Sequence, residues 1–589
     1  MSNSTWRFCA LAAAGAVTLA ACDGGTPPAA ASRAPEAQSG VLNRPNVLVI
    51  LADDLGYSDL SAFGSEIRTP NLDALARDGR LLTNFHSTPL CATSRAELLT
   101  GADHHNVGVG TLAESSRFYP NNEEYAGVFD TRALTIAQRL HDAGYHTYAA
   151  GKWHLGSGGP AQWGFEQSFS LEYAAAFASN FKPSSAHPES STLPYYENGV
   201  AADIPDDFYS SDYFVDRLLS YLDHDRGDGR PFFAYLAFQA VHFPLQVPDK
   251  YVDLYKGQYD AGYAPVRAAR IARQKALGII PQDFQDNPGD EATMVRFGQP
   301  GVPLNQPWDE LTPQDQQSEA RVMEIFAGML TNLDDNVGRV VDALKQSGQY
   351  ENTFIVFVSD NGADGMGYGF IPYVDTNAPQ SGATIDNSLA NYGRPSSFIF
   401  RSTRWAEVGT APFRLFKGFT AEGGIGVPAI VRLPGKKSAG ASSGALASLL
   451  DVVPTILELS GVADTGTTYQ GHEVAAIEGR SLLPAFDNKP RAVHDDAEVF
   501  ADEVNDIRYV RKGRWKMTRI VNYMLPSAAE LLNHNWQLYD IESDRGETTD
   551  VAAQHPDIVA ALTADWAAYA HRVNAVNPVL PPIVTPIDQ

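Results

Sequence analysis

The sequence predicts an α/β fold: helices cover both faces of one large, mostly parallel sheet, and a smaller α+β domain follows at the C-terminus. Short apolar segments typical of buried strands alternate with segments whose apolar residues recur at helical spacing. After residue 461 the pattern changes to strands of alternating or turn-broken character. The length of 589 residues also exceeds the needs of one minimal domain, so a second domain is expected.

Four segments of the larger domain are predicted strands, and the first has the composition of a strand that is covered on both faces. Residues 46–52 form the nearly unbroken apolar run Asn-Val-Leu-Val-Ile-Leu-Ala. Residues 145–150, 231–238 and 353–358 are similarly short and rich in apolar or small side chains. Because strands of this kind are typical of parallel sheets, we expect them to pair in one sheet.

The remaining elements follow from helical periodicity and from the change in texture near the C-terminus. Residues 71–78, 133–143 and 319–347 are predicted helices, and each is followed by a glycine that ends it. The smaller domain is predicted from strands within 499–520 and 536–541. It is completed by a closing helix, which the apolar spacing places at residues 557–573.

Polar side chains follow each of the four predicted strands. In parallel α/β sheets ligands bind outside the carboxyl ends of the strands, so these side chains are expected to share one edge. One such residue alone is better explained as an ordinary loop residue, but four segments together indicate a functional site. The residues concerned are Asp53, Asp54, Lys152, His154, His242, Asp360 and Asn361.

The charge of the chain restricts the class of ligand. The formal net charge is −26, which argues against nucleic acid as a partner because a phosphate backbone requires a basic face. A small anionic substrate is still compatible with this charge, because local arginine, lysine and metal set the field at a site.

The N-terminus has the features of an export signal. Residues 1–21 combine a basic start with a short run of apolar and small residues, which is too short to span a bilayer comfortably. The run ends in Leu-Ala-Ala-Cys, which resembles the lipobox of bacterial lipoproteins and implies a lipid anchor on Cys22. An ordinary cleaved signal peptide is the alternative. Residues 22–43, rich in Ala, Pro and Ser, are interpreted as a flexible tether.

The cysteine count directs attention to one residue. The chain has three cysteines, Cys9, Cys22 and Cys91, and only Cys91 would remain as a thiol after export. No disulfide framework is then possible, although an oxidising compartment would permit one. An isolated thiol in such a compartment is a liability, so Cys91 requires an explanation.

Asp53, Asp54, Asp360 and Asn361 together offer three carboxylates and an amide. Oxygen ligands of this kind suit a hard cation such as calcium or magnesium. Either pair alone would be better explained by turn chemistry, since Asp and Asn favour loops. Their matched positions after two strands favour metal binding.

Cys91 lies near a predicted helix start at Thr93. Unpaired backbone N–H groups and the helix dipole at such a position lower the pKa of a thiol and bind tetrahedral oxyanions. Arg95 is one turn further on, so its side chain can turn back toward Cys91. The alternative is a buried structural cysteine, which is the commoner role of a lone cysteine.

The segment from Cys91 to Gly101 resembles the sulfatase signature, Cys-x-Pro-Ser-Arg followed by a short spacer and Thr-Gly. The resemblance extends over most of the mature chain, and segments 103–105 and 411–417 are similar to the bacterial arylsulfatase branch. It implies an alkaline phosphatase/sulfatase-like fold, with residues 44–461 as the catalytic domain and 462–589 as the smaller one. The other matching segments are, in order, 45–56, 144–156, 241–244, 359–362, 422–425 and 451–455.

The resemblance implies an enzyme that hydrolyses small sulfate esters, of the arylsulfatase type. Cys91 would be oxidised to formylglycine by a formylglycine-generating enzyme, and the hydrate would attack sulfur and later expel sulfate. A divalent metal, calcium rather than magnesium, would be held by Asp53, Asp54, Asp360 and Asn361.

Five further residues receive roles by the same resemblance. Arg95 would steady the hydrate, and Lys152 and Lys417 would hold sulfate oxygens. His154 would assist the release step, and His242 would protonate the leaving oxygen. Without the surrounding motifs, the lysines would be interpreted as surface residues and His242 as a packed loop residue.

Thr93 occupies a position at which the family usually has proline or, less often, alanine. That position belongs to the signal that the converting enzyme reads, so a non-catalytic binding lipoprotein with an unmodified Cys91 is one alternative. A phosphodiesterase or phosphonate monoester hydrolase that uses the same site is the other. The expected location is the bacterial cell envelope, with the membrane reached through a lipid on Cys22.

Overall fold

The structure is a computed structural model that describes residues 44–172, 179–182, 195–287, 306–365, 386–435, 441–487, 491–520 and 535–579. The predicted signal peptide at 1–21 and the tether at 22–43 lie outside the described residues. From Arg44 onward the chain forms one compact unit.

Helices and strands alternate through the first part of the chain, as the sequence predicts. The helices are α1 (Pro70–Asp78), α2 (Cys91–Thr100), α3 (Ile136–Asp142), α4 (Ser210–His224), α5 (Asp249–Val252), α6 (Tyr263–Leu277), α7 (Pro313–Gln346), α8 (Thr403–Gly409), α9 (Glu422–Ile425), α10 (Val452–Ser460) and α11 (Pro556–Arg572). The strands up to residue 360 are β1 (Asn46–Ala52), β2 (Arg80–Leu82), β3 (Phe85–His86), β4 (His146–Lys152), β5 (Gln167–Leu171), β6 (Tyr195–Glu197), β7 (Val200–Ala201), β8 (Phe232–Ala237) and β9 (Thr353–Ser359). The later strands are β10 (Ala429–Arg432), β11 (Ser442–Ser443), β12 (Ala447–Ser448), β13 (Thr468–Tyr469), β14 (His472–Glu473), β15 (Val499–Val504), β16 (Ile507–Lys512), β17 (Trp515–Arg519) and β18 (Gln537–Asp540).

A ten-stranded sheet forms the centre of the fold, in the order β11-β2-β10-β9-β1-β8-β4-β5-β6-β7. The four strands β9, β1, β8 and β4 are neighbours and run parallel, so their carboxyl ends lie at one edge. Strand β10 is antiparallel to both of its neighbours, which makes the sheet mixed. The predicted sheet of mostly parallel strands is therefore confirmed.

Side chains on β1 show why the central strands are apolar throughout. Leu48 and Ile50 pack into the core on one face, and Val47, Val49 and Leu51 pack into the core on the other. Successive side chains of a strand point to opposite faces, so a strand that is covered on both sides has no polar face.

The C-terminal region forms a four-stranded antiparallel sheet, β15-β16-β17-β18. Helix α11 packs Leu562 and Trp566 against Val510, Met517 and Leu538 of this sheet. This arrangement confirms the predicted smaller α+β domain. The boundary at residues 461 and 462 stays a prediction.

Two helix starts differ from the sequence prediction by three residues or more, and local capping explains both. Helix α3 begins at Ile136 rather than residue 133, because Thr135 and Gln138 form a reciprocal capping box. Helix α7 begins at Pro313, six residues before the predicted start at 319, because Thr312 caps it and proline suits the first turn.

Among the described residues, no helix combines the length and apolar character that crossing a membrane requires.

Candidate active site

The four predicted metal ligands lie directly beyond the adjacent strands β1 and β9. Ala52 and Ser359 are paired in the register of these strands, so Asp53 and Asp360 emerge side by side. Asp54 and Asn361 follow them, and all four side chains are fully buried. The structure therefore brings together all four of the residues that the sequence proposes as ligands.

Hydrogen bonds fix these four residues relative to one another. The Asp54 backbone N–H donates to Asp360 Oδ1 at 3.1 Å, and Asn361 Nδ2 donates to Asp54 Oδ1 at 2.7 Å. Asp53 Oδ1 and Asn361 Oδ1 are buried and accept no hydrogen bond within the described part of the chain. Buried oxygens without donors are costly unless a cation contacts them. The donor set fits a hard divalent cation.

The electrostatics of the acidic residues lead to the same conclusion. Burial and the adjacent Asp53 charge raise the pKa of Asp360 well above its ordinary value. Burial also opposes ionisation of Asp53, but Lys152, His242 and Arg95 outweigh it and hold the pKa of Asp53 well below the usual range. Because like charges oppose each other here, both carboxylates would ionise together only beside additional positive charge, which a cation would supply.

Helix α2 begins at Cys91, two residues before the predicted start at Thr93. Its N-cap residue, Leu90, offers no side-chain cap, so the N–H groups of the first turn receive no hydrogen bond from the N-cap side chain. The Thr93 hydroxyl is buried and donates to the Leu90 carbonyl at 2.8 Å. Thr93 therefore supports the turn that carries Cys91 in the folded chain.

The Arg95 side chain connects Cys91's helix to the acidic residues. Its guanidinium donates to Asp360 Oδ2 at 2.8 and 3.1 Å and to the Lys152 carbonyl at 2.8 Å. Its Nη2 atom lies 3.6 Å from Asp53 Oδ1, and none of the three charged side chains is exposed. Arg95 thus fixes the two strand ends on the side of the site where Cys91 lies.

Two lysines supply positive charge from different segments. Lys152, the last residue of β4, contacts Asp53 Oδ2 at 2.5 Å. Lys417, in the loop after α8, contacts Asp54 at 2.7 and 2.9 Å. Both lysines are almost fully buried, so they are not the solvated surface residues of the alternative interpretation.

The Cys91 thiol is activated by its surroundings. Burial alone would raise its pKa, but Lys152, Lys417 and His154 lower it to about 7. Burial would lower the pKa of His154, but contacts with Cys91 and Glu114 raise it to about 9. Cys91 and His154 therefore form a charge-complementary pair.

His242 approaches the site from the loop after β8. Its Nδ1 lies 2.5 Å from the Phe243 carbonyl, which only accepts, so Nδ1 carries the proton of the neutral ring. Its Nε2 lies 3.5 Å from Asp54 Oδ2. Burial lowers the pKa of His242 to about 4, although the Asp54 charge opposes this.

Two residues of the site were missed by sequence reasoning. Asp364 offers a carboxylate oxygen within 4.8 Å of the ligand atoms of Asp54 and His242. The signal in the sequence that could have identified Asp364 is its position three residues after Asn361. Glu114 lies 3.7 Å from His154 Nε2, but it is on a short 3₁₀ helix that has no recognisable pattern.

Comparisons with known proteins identify the family and the fold. The sulfatase family model matches residues 45–462. An uncharacterized sulfatase of Schizosaccharomyces pombe is 39% identical over 91% of this chain and 95% of its own. The arylsulfatase of Klebsiella aerogenes is 38% identical over 71% of this chain and 87% of its own.

The solved structure of Ps i-CgsB in complex with k-i-k-neocarrahexaose has a TM-score of 0.61 and 23% identity, and covers 90% of this chain and 93% of that one. At this identity the likeness shows the fold alone, and it confirms the predicted architecture. Family model, relatives and fold agree with the sequence motifs, and the chain belongs to the sulfatase family of sulfuric ester hydrolases, near its bacterial arylsulfatases.

Proposed function

We propose that the protein hydrolyses small sulfate esters of the arylsulfatase type, with a formylglycine derived from Cys91 and a calcium ion. The observation that carries the proposal is the position of Cys91. It starts a helix beside Lys152, Lys417 and His154, and its Sγ lies within 4.8 Å of carboxylate oxygens of Asp53 and Asp360. A structural cysteine would need neither the lysines nor the acidic cluster.

Asp53, Asp54, Asp360 and Asn361 would hold the metal, which supplies Lewis-acid polarisation of the nucleophile and of a sulfate oxygen. Calcium is favoured over magnesium because Asp364 offers a further oxygen nearby, and calcium accepts more ligands in looser geometry. Formylglycine, when present, supplies a hydrate with one hydroxyl for attack and a second for release of sulfate.

The chain's own residues bind the substrate and move its protons. Lys152 and Lys417 place two ammonium groups beside Cys91, where they would bind sulfate oxygens and stabilise the charge that develops on them. Conversion of Cys91 removes the thiol that helps to raise the His154 pKa, and the neutral His154 ring would then accept the proton of the hydroxyl that expels sulfate. His242 would protonate the leaving oxygen from its imidazolium form, in which Nε2 carries the second proton, since Nδ1 faces the Phe243 carbonyl. Ester and water would then become alcohol, sulfate and a proton.

Aromatic side chains next to His242 favour an aryl leaving group. The rings of His242 and Phe243 are stacked at 4.5 Å between centroids, and Phe398 and Phe400 meet Phe243 edge-on at 6.1 and 6.2 Å. Phe398 and Phe400 are partly exposed, so they offer apolar surface on the side where the alcohol would leave. Stacking on such rings is favourable for an aryl group.

The test compares hydrolysis of an aryl sulfate with that of the matched aryl phosphate monoester, phosphate diester and phosphonate monoester. The expected order has the sulfate ester fastest, and turnover should disappear after chelation and return with calcium. Faster hydrolysis of the diester or phosphonate, with negligible sulfate release, would favour the alternative hydrolase.

Mass spectrometry of the Cys91 peptide from the native host tests the modification separately. A peptide carrying the aldehyde is expected. An intact thiol in every molecule would favour the binding-protein alternative, because an unmodified thiol does not supply the two hydroxyls that the release step uses.

We further propose that the protein is exported to the bacterial envelope and anchored by a lipid on Cys22. The support is the N-terminal sequence pattern alone. Metabolic labelling with a fatty-acid analogue should mark the wild-type chain and not the Cys22→Ser variant. Equal labelling of both would refute the anchor.

A further inference from the structure

A cavity of about 100 Å³ lies between helix α2 and the C-terminal sheet with its helix α11. It is separate from the active site, because Glu97 in its lining is about 9 Å along α2 from Cys91. The cavity is strongly acidic. Its lining includes the carboxylates Glu97, Asp103, Asp451, Glu478, Glu498 and Asp502.

Most of these carboxylates already have basic partners, so acidity alone does not define a site. The pairs are Asp103 with His105 at 2.9 Å, Asp451 with His494 at 3.0 Å, Glu478 with Arg572 at 2.7 Å and Glu498 with Arg480 at 2.8 Å.

Glu97 differs from these paired carboxylates because it has no basic partner among the described residues. It is 7% exposed and lines the cavity. Across the described part of the chain, no hydrogen bond or ion pair reaches its carboxyl group. The charged groups that act on it most strongly are Asp502, Asp103 and Glu478, which are all acidic, and with burial they raise its pKa well above the ordinary value. An acidic side chain in this position requires either a proton or a cation.

Asp502 supplies a second oxygen of the same kind. Its Oδ1 contacts His104 Nε2 at 2.8 Å, whereas its Oδ2 is buried and accepts no hydrogen bond within the described residues. Glu97 and Asp502 line the same cavity, and Tyr509 and Tyr569 form part of its wall. The space is enough for a cation with a few water molecules, since one water occupies about 30 Å³.

Histidine ligation is not part of this site, although Asp103, His104 and His105 have ligand atoms within 4.8 Å of one another. His104 contacts the Val109 carbonyl and Asp502, and His105 contacts Asp103 and Glu503. Each ring nitrogen is therefore already engaged by a protein group, so neither histidine could offer a nitrogen to a metal without losing a hydrogen bond. Oxygen ligands indicate a hard cation rather than zinc or copper.

We propose that this cavity binds one hydrated divalent cation, with the Glu97 carboxyl and Asp502 Oδ2 as its protein ligands. The ion would neutralise the carboxyl without a partner and would join α2 to strand β15 of the C-terminal sheet. This site is independent of the active-site metal, because it shares none of its ligands.

The experiment counts calcium ions bound per chain by equilibrium dialysis and elemental analysis, on metal-stripped protein. Glu97→Gln keeps the side-chain shape and should bind one ion fewer than wild type. The matched control, Glu458→Gln on the exposed face of α10, should bind the wild-type number. Equal numbers for wild type and Glu97→Gln would overturn the proposal. Magnesium and manganese are tested in the same way.

Further measurements separate this site from the active site and from misfolding. Asp360→Asn should lose the other ion and turnover, whereas Glu97→Gln should keep turnover within about threefold. A wild type that binds one ion and a Glu97→Gln variant that binds none would support the cavity site and refute the active-site metal. If Glu97→Gln does not fold, Asp502→Asn replaces it. Tyr235 lies near Asp53 and Asp360, so terbium luminescence is measured in the Asp360→Asn variant, which should lack the active-site ion. That variant should show tyrosine-sensitised luminescence that excess calcium displaces, and absence of this signal would count against the cavity site.

Discussion

The substitution Glu319→Gln should make the protein more stable at neutral and alkaline pH. Glu319 lies on α7 and is 1% exposed, and its Oε2 accepts hydrogen bonds from Tyr263 at 3.0 Å and Ser402 at 2.6 Å. Burial raises the pKa of Glu319 from 4.5 to about 7, although these hydrogen bonds oppose the shift. Folding therefore favours the protonated carboxyl, and ionisation at higher pH has a cost.

The sign and size follow from proton linkage. Between the unfolded pKa of 4.5 and the folded pKa of about 7 the folded chain holds a proton that the unfolded chain has released, so stability falls as the pH rises. The loss is fully developed above the folded pKa and amounts to about 3 kcal/mol at ~1.4 kcal/mol per pKa unit. Glutamine does not ionise, so the Glu319→Gln variant should lack this loss.

The assay is urea unfolding, followed by tryptophan fluorescence, at several values between about pH 4.5 and about pH 8. The difference in free energy of unfolding between Glu319→Gln and wild type should grow toward high pH, whereas the exposed control Glu458→Gln should show a constant difference. A pH-independent difference between Glu319→Gln and wild type would refute the reasoning.

Three further predictions concern the active site. Lys417→Met should lower kcat/KM about 100- to 1,000-fold because a charge that contacts the transition state is lost, while Lys256→Met on the exposed surface should leave kcat/KM unchanged in the same assay. Glu114→Gln should lower the pKa that His154 contributes to the pH profile of kcat/KM, because the Glu114 carboxylate helps to raise the His154 pKa. An unchanged pH profile would exclude this role of Glu114. Arg95→Met should lose turnover and also weaken calcium binding in dialysis, since Arg95 fixes Asp360. Intact calcium binding by this variant would contradict the argument that Arg95 positions Asp360.

The strand ends of the site were predictable, because two simple rules act together there. A run such as residues 46–52 is apolar only if both faces are covered, and the polar residues that follow such runs in a parallel sheet meet at one edge. Asp53 and Asp360 therefore emerge side by side, as the register of β1 and β9 requires. Their roles as ligands stay a prediction.

Other parts of the site were not predictable, because they depend on contacts between distant segments. The sequence predicts a helix start at Thr93, but the chain enters α2 at Cys91, where Leu90 provides no side-chain cap. The Gly418 N–H, from a distant segment, donates to the carbonyl of Pro89 just before this helix. Glu114 lies on an irregular segment that no periodicity marks. The acidity around Glu97 arises only when α2 packs against the C-terminal sheet.

The C-terminal sheet, which lies entirely beyond the family match at 45–462, also fixes groups near the active site. Lys516 of β17 is buried and pairs with Glu422 at 2.8 Å and with Glu547 at 2.9 Å. Glu422 also pairs with His86, and the Gly418 N–H beside Lys417 donates to the carbonyl of Pro89, two residues before Cys91. Removal of one partner from such a buried pair costs about 3–5 kcal/mol because it leaves an uncompensated charge. The position of Lys417 relative to Cys91 therefore depends on the smaller domain as well as on the central sheet.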